Sequence, residues 1–170
     1  MLAKLVARQL RRRRRPVAAL DPMNDPGWAA ASDYLARDLP DLWFFLRTHK
    51  RIHAFIDESA ISVRKFDDEA NKLTTISGHL EHSVNFLCQS LTQLSPTLRG
   101  QTTITYLFPC TEESWDIVGR LHNCRQRMAA LRPLAWDLQT FSEFFIIRAD
   151  STIRRYRLTY RTKAVIELSE

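Results

Sequence analysis

A heptad repeat is the strongest pattern in this sequence. From Phe66 to Leu94, apolar side chains recur at alternating intervals of four and three residues, and Ser77 occupies the one polar position. Side chains at this spacing lie along one narrow stripe of an α-helix, and such a stripe packs along a second helix at a shallow angle. The pattern therefore predicts one long helix over about residues 66–95. Its packing seam comprises Leu73, Leu80, Val84, Leu87, Leu91 and Leu94.

A second heptad pattern, over residues 112–132, offers a partner for that seam. Its apolar positions are Ile117, Leu121, Cys124, Met128 and Leu131. Two antiparallel helices with matching heptads form a hairpin, so we expect most of the seam to be buried inside the chain. The alternative is a coiled coil with a second copy, which would make the protein a homodimer through the 66–94 helix.

The C-terminal region changes to a period of two, which is typical of strands. In residues 152–168, apolar and charged side chains alternate, and the segments "TTITYLF" and "FFII" are rich in β-branched and aromatic residues. We therefore expect a small antiparallel sheet here. The predicted fold class is α+β and predominantly helical, with the long heptad helix packed against other helices and this small sheet at the C-terminus.

Positive charge is concentrated at the N-terminus. Residues 1–20 hold seven basic groups and no acid, so the remaining residues carry 18 basic groups against 19 acidic ones. A chain of 170 residues suffices for one domain with a core. We accordingly predict a basic leader and linker over residues 1–22, disordered or amphipathic, and a single globular domain over residues 23–170.

Four interpretations of the leader remain open. It could be an arm that binds a polyanion, because arginine guanidinium groups suit phosphates. It could be a mitochondrial presequence, since it is amphipathic, rich in arginine and free of acids. It could contact an anionic membrane, or translation could begin at Met23. The predicted polyanion-binding residues are Arg8, Arg11, Arg12, Arg13, Arg14 and Arg15, extended by Arg155 and Arg157 on the C-terminal sheet.

Motifs of known catalytic sites are absent from the sequence. The four glycines are far apart, so there is no Gly-rich phosphate loop, and neither GxSxG nor HExxH occurs. The pairs His49 with His53 and His79 with His82 have helical spacing but lack a third ligand at a fixed interval. We therefore predict no catalytic residues, no metal and no cofactor. Three cysteines without a CxxC pair indicate reduced thiols and an intracellular protein, cytoplasmic or nuclear, or alternatively in the mitochondrial matrix.

These observations favour a non-enzymatic interaction or assembly protein. Its arginine-rich arm, residues 1–15, would contact nucleic acid or an anionic membrane. The first alternative is an imported accessory subunit of a mitochondrial complex, with residues 1–20 as its presequence. The second alternative is an enzyme of a class that the sequence does not reveal.

Overall fold

The computed structural model describes residues 2–59, 68–136, 143–159 and 164–168. The chain forms two compact units. The first comprises Met1–Gln89 and Gln93–Leu98, and the second comprises Ser90–Thr92 and Arg99–Glu170. Each unit contains one four-stranded sheet.

The first unit is built on a parallel sheet. Its strands are β1 (Val17–Leu20), β2 (Tyr34–Ala36), β3 (His53–Ile56) and β4 (Ser83–Phe86), in the order β2-β1-β3-β4. Leu20 lies opposite Ile56, which lies opposite Phe86, so β1, β3 and β4 end side by side. All four residues of β1 are buried, as expected for a strand of a parallel sheet that is covered on both faces.

Helices connect and cover these strands. They are α1 (Leu2–Arg12), α2 (Pro26–Ala29), α3 (Leu39–Thr48), α4 (Asp68–His79) and α5 (Pro96–Gly100), with a 3₁₀ turn at Leu91–Gln93. Helix α1 is amphipathic, and its apolar side packs on a core that includes Val17, Trp28 and Phe55. Ala7 of α1 is fully buried there.

The second unit is built on an antiparallel sheet. Its strands are β5 (Ile104–Leu107), β6 (Glu143–Arg148), β7 (Ile153–Thr159) and β8 (Ala164–Leu168), in the order β5-β6-β7-β8. Its helices are α6 (Glu112–Leu121) and α7 (Arg125–Trp136). Trp115 and Met128 from these helices pack with Phe145 and Ile147 of β6. Strands are thus present in all the C-terminal segments for which the alternation predicts them.

The predicted fold class is wrong. The chain has an α/β fold with a parallel sheet in one unit and an antiparallel sheet in the other, and a predominantly helical α+β fold with a small sheet does not describe it. The single helix predicted over residues 66–95 does not form, because α4 ends at His79 and β4 follows it. Two physical reasons account for the difference: Gly78 weakens the helix near its end, and β4 gains a hydrogen-bonded place beside β3.

The long helix that the coiled-coil interpretation requires is therefore absent from residues 68–94 of the structure. A homodimer through a 66–94 helix has no structural basis without it. The partner helix over 112–132 is also divided, since Asn123 has a left-handed φ of 49° between α6 and α7. The division into a leader over 1–22 and a domain over 23–170 stays a prediction. In the structure, α1 and β1 come from those first 22 residues and belong to the first unit.

Among the ranges given above, no helix is long and apolar enough to cross a membrane.

Candidate functional site

Three neighbouring strands of the parallel sheet end at one edge, which we call the carboxyl edge. Asp21 follows β1, and Asp57 and Glu58 follow β3. Open parallel α/β sheets bind their ligands beyond the carboxyl ends of their strands. The carboxyl edge is therefore the first place to look for a functional site in this unit.

Backbone hydrogen bonds fix the position of the acid pair Asp57–Glu58. The Asp57 N–H donates to the carbonyl of Leu20 across 2.8 Å, which continues the pairing of β3 with β1. On the other side of β3, the N–H of Ser59 donates to the carbonyl of Leu87 across 2.9 Å. The two acids thus leave the sheet from a segment that is held on both sides.

The carboxylate of Asp57 is oriented by two further donors. The indole Nε1 of Trp28 donates to Oδ2 across 2.5 Å, and the backbone N–H of Glu58 donates to Oδ1 across 3.0 Å. Trp28 itself is fully buried, and its ring packs against Phe55 with the centroids 5.5 Å apart. Because the indole is buried and packed, it is a rigid donor to this half-buried carboxylate.

Glu58 differs from its neighbour in backbone and surroundings. Its φ of 45° lies in the left-handed region, which non-glycine residues rarely occupy and which costs conformational energy. Its side chain is half-buried, and within the described ranges its carboxylate makes no hydrogen bond or ion pair. The backbone thus holds an acid that has no partner among the described residues beside one that is fixed.

The backbone N–H groups of the loop after β1 donate hydrogen bonds to the loop's own carboxylates. Buried Asp21 accepts hydrogen bonds from the N–H groups of Met23 and Asp25, at 3.0 and 2.5 Å. Asp25 forms an ion pair with Lys4 and accepts from the N–H of Gly27 at 2.7 Å, and these two bonds lower its pKa. A phosphate cradle needs free backbone N–H groups. This loop instead uses its N–H groups internally and carries two carboxylates.

The predicted basic residues of the leader occupy α1 and the turn after it. Arg11 is bound, since its Nε donates to Asp33 Oδ1 across 2.6 Å and its Nη1 donates to the carbonyl of Ala30 across 3.1 Å. The others are exposed and have no ion-pair partner among the described residues: Arg8, Arg12, Arg13, Arg14 and Arg15. These five guanidinium groups remain available to a polyanion, and their role there stays a prediction.

The two predicted arginines of the C-terminal sheet have a partner within the second unit. Arg155 and Arg157 of β7 each donate from Nε and Nη2 to one carboxylate oxygen of Glu143 on β6, over 2.5–3.0 Å. Glu143 is only 7% exposed. Burial raises its pKa, but the hydrogen bonds and charges of the two guanidinium groups outweigh burial and lower the pKa overall. A polyanion at these arginines would have to compete with Glu143.

The predicted seam residues are spread over several elements. Leu73 is buried in α4, Leu80 follows that helix, Val84 lies in β4 and Leu91 lies in the 3₁₀ turn. Leu87 follows β4 and packs against the core of the first unit. Leu73 and Leu94 are buried, whereas the other four are half-buried, and the six lie in separate elements rather than along one helix.

The residues present fit a magnesium ion better than a transition metal. Within the described ranges, no group of three or more His, Cys, Asp or Glu side chains could hold a metal ion. His82 is occupied by the N–H of Ile52 and the carbonyl of Leu46, at 3.1 and 3.0 Å. Mg²⁺, however, binds through one or two carboxylates while substrate oxygens and water complete its shell. Asp57 and Glu58 meet that requirement.

This acid pair is not among the predicted site residues, although the sequence contains a signal for it. Residues 54–56 form a short apolar run that is followed by two consecutive acids, Asp57 and Glu58. Such a run is consistent with a buried strand followed by an edge site. The residues from His49 to Ile56 also have helical spacing, and that pattern hid the strand.

Comparison with known proteins shows which solved structures have a similar fold. No protein-family model matches the sequence, and no curated protein matches it either. The structure of the genome-packaging NTPase B204 from Sulfolobus turreted icosahedral virus 2 in complex with AMPPCP matches with a TM-score of 0.66 and 10% identity, covering 88% of this chain and 86% of that one. Its complex with AMP matches with a TM-score of 0.67 and 11% identity, covering 86% and 84%. The chain has an α/β fold that resembles an NTPase.

A further structure, of B204 described as the DNA-packaging ATPase from Sulfolobus turreted icosahedral virus, matches with a TM-score of 0.66 and 10% identity over 88% of this chain and 86% of that one. At such identities the likeness shows the fold. It nevertheless contradicts the interpretation of this chain as a non-enzymatic assembly protein built on a coiled coil. The prediction that the chain is not an enzyme is wrong on the same finding, and the alternative of an unrecognised enzyme agrees better with it.

Proposed function

We propose that this chain carries the metal- and water-binding half of a nucleoside-triphosphate hydrolysis site. The observation that carries the proposal is the acid pair at the end of β3, with Asp57 fixed by two donors and Glu58 left without a partner among the described residues. The likeness to an NTPase that was solved with AMPPCP and with AMP supports the class of substrate.

The two carboxylates suit different tasks. Asp57 is oriented at both oxygens and supplies a carboxylate of the kind that Mg²⁺ binds, so it is the ligand for Mg²⁺ in this proposal. When bound, Mg²⁺ supplies charge neutralisation between the phosphate oxygens. Glu58 has the freer carboxylate and lies one residue further on, where it can accept a proton from an attacking water.

The proposal is limited to this half of the site for a physical reason. The sequence has no Gly-rich loop, and the loop after β1 presents the carboxylates of Asp21 and Asp25, which would repel phosphates. The acids after β3 lie one strand away. A divalent cation bound to them would screen their negative charge, so they would not repel the phosphates.

A binding experiment on the whole chain tests the proposal. Titration with a fluorescent, non-hydrolysable ATP analogue is expected to show binding that requires Mg²⁺ and weakens at least tenfold in Asp57→Asn. Asp116→Asn in α6 removes an exposed carboxylate of the second unit and is the matched control, with unchanged binding. Binding that is equal with and without Mg²⁺, or an Asp57→Asn variant that binds like the control, would contradict the proposal.

Nucleic acid is the macromolecular partner that we propose for this activity. B204 is described as a DNA-packaging ATPase, and in this chain Arg8 and Arg12–Arg15 are exposed and unpaired among the described residues. Guanidinium groups of this kind contact phosphates without regard to sequence. The salt dependence of binding to duplex DNA tests this partner.

A further inference from the structure

We infer that Trp28 is a positioning residue of the acid pair: its indole N–H fixes the orientation in which Asp57 meets Mg²⁺. The inference rests on the proposed function. Trp28 lies outside the carboxyl edge, in helix α2, which follows the loop after β1. Its indole reaches the carboxylate of Asp57, which follows the neighbouring strand β3.

The geometry around Asp57 carries the inference. A carboxylate that accepts one hydrogen bond can still rotate about its terminal bond, whereas one that accepts a bond at each oxygen cannot. The N–H of Glu58 holds Oδ1 from the same chain segment, and the indole of Trp28 holds Oδ2 from a different one. Removing the Trp28 donor would therefore remove the contact that holds Oδ2 from the second segment.

Trp28 is itself immobilised from both sides, which makes it suited to this task. Its ring packs on Phe55 of β3, and the ammonium group of Lys4 lies 5.3 Å from the centroid of the ring. Lys4 also pairs with Asp25, the residue that caps α2. Lys4 of α1 therefore contacts both the Trp28 ring and the residue at which α2 begins.

A donor that hydrogen-bonds to a metal-binding side chain can strongly affect metal affinity, although it does not touch the metal. Loss of a hydrogen bond to a metal-binding side chain commonly reduces metal affinity or activity 10- to 100-fold. Trp28→Phe keeps the aromatic packing and removes only the N–H. We therefore expect it to raise the Mg²⁺ concentration for half-maximal binding of the ATP analogue at least tenfold.

The second unit offers a matched control. Trp115 is also buried and also donates through Nε1, to the carbonyl of Met128 across 2.9 Å, in the core of the antiparallel unit. Trp115→Phe loses a comparable hydrogen bond within the second unit, whereas the acid pair belongs to the first. A purely structural role for Trp28 predicts equal effects of the two substitutions on Mg²⁺ dependence.

A spectroscopic measurement tests the contact without relying on the folding of Trp28→Phe. In the full chain with ¹⁵N-labelled tryptophan, the indole signal of Trp28 is expected to shift in Asp57→Asn and on addition of Mg²⁺ with the analogue, while that of Trp115 stays in place. If wild-type protein binds the analogue with Mg²⁺ but the Trp28 signal does not respond, or Trp28→Phe matches Trp115→Phe, the positioning role is wrong and the proposed function stands. If wild-type protein binds no Mg²⁺ and no analogue, the proposed function fails and this inference fails with it.

Discussion

Asp33 joins helix α1 to strand β1. Its Oδ1 accepts from Nε of Arg11 across 2.6 Å, and its Oδ2 accepts from the backbone N–H of Val17 across 2.9 Å. The basic N-terminal helix is thereby tied to the first residue of a buried strand, and the two contacts differ in physical character. The ion pair is exposed to solvent, whereas the N–H of Val17 lies on a residue that is 1% exposed.

Removal of Asp33 should therefore cost more stability than removal of Arg11. The side chains of the ion pair are 38% and 45% exposed, and pairs of this kind contribute about 0–1 kcal/mol. A buried N–H that loses its acceptor costs about 1–3 kcal/mol. Urea unfolding should show Asp33→Ala destabilised by about 1–3 kcal/mol and Arg11→Ala by less than about 1 kcal/mol. Equal losses would mean that the contact with Val17 contributes nothing.

Glu143 should make the second unit sensitive to acid. Its pKa lies below the ordinary value of 4.5, so the stabilisation by its ionised form is complete above that value and is lost as the pH falls through the lowered pKa. Glu143→Gln is expected to destabilise the protein by about 1–3 kcal/mol at pH 7, and the difference from wild type should shrink below pH 4.5. Tryptophan fluorescence during urea unfolding at several pH values measures this.

Glu167→Gln is the matched control for that experiment. Glu167 pairs with Arg154 on the same sheet, but the two side chains are 49% and 52% exposed, so the loss should stay below about 1 kcal/mol. A Glu143→Gln variant that behaves like Glu167→Gln at every pH would show that burial adds nothing to the pair.

Cys88 and Cys110 should react slowly with alkylating agents. Burial raises the pKa of both thiols to about 11, and the thiolate is the reactive form. At pH 8 only about one thiol in a thousand is ionised at such a pKa, so alkylation by iodoacetamide should be far slower than in urea-unfolded protein. The rate should rise about tenfold per pH unit up to about 11. Folded protein that reacts as fast as unfolded protein at pH 8 would refute the effect of burial.

The exposed arginines at the end of α1 should set the salt dependence of binding to duplex DNA. Each phosphate contact contributes about 0.9 to the slope of log K against log salt concentration, so Arg12→Ser with Arg13→Ser should reduce that slope by about 2. The control replaces Arg120 and Arg125, which are exposed in the second unit, with serine. Equal slopes for both double variants would exclude a local role for the α1 arginines.

Local signals in the sequence predicted the strands of the second unit, although they merged α6 and α7 into one helix. The alternation in β7 and the β-branched run at β5 each correspond to a strand, and Thr111, a residue type typical of helix caps, caps α6 by accepting from the N–H of Ser114. These features depend on neighbouring residues, and a period of two or a cap can be read over a few positions.

The parallel sheet could not be read in the same way. Its strands β1 and β3 have four residues each, buried on both faces, so they show no alternation. Residues of β3 also fit the helical spacing that extends from His49. Long-range pairing decides such segments, and the heptad from Phe66 to Leu94 failed for the same reason when β4 paired with β3.

The functional meaning of the acid pair after β3 depends on that sheet. Asp57 and Glu58 acquire meaning only when β1 and β4 place neighbouring strand ends beside them and Trp28 reaches Asp57 from 29 positions away in sequence. Two adjacent acids in a sequence are otherwise typical of an exposed loop.

Release of inorganic phosphate from ATP by the whole chain, with wild-type protein compared with Glu58→Gln, tests the central proposal most directly. General-base catalysis contributes about 10²- to 10⁴-fold, so Glu58→Gln should lose at least a hundredfold in rate while it still binds the non-hydrolysable analogue with Mg²⁺. Asp116→Asn should hydrolyse ATP at the wild-type rate. Phosphate release that does not depend on Mg²⁺, or a Glu58→Gln variant as fast as Asp116→Asn, would contradict the assignment of the acid pair.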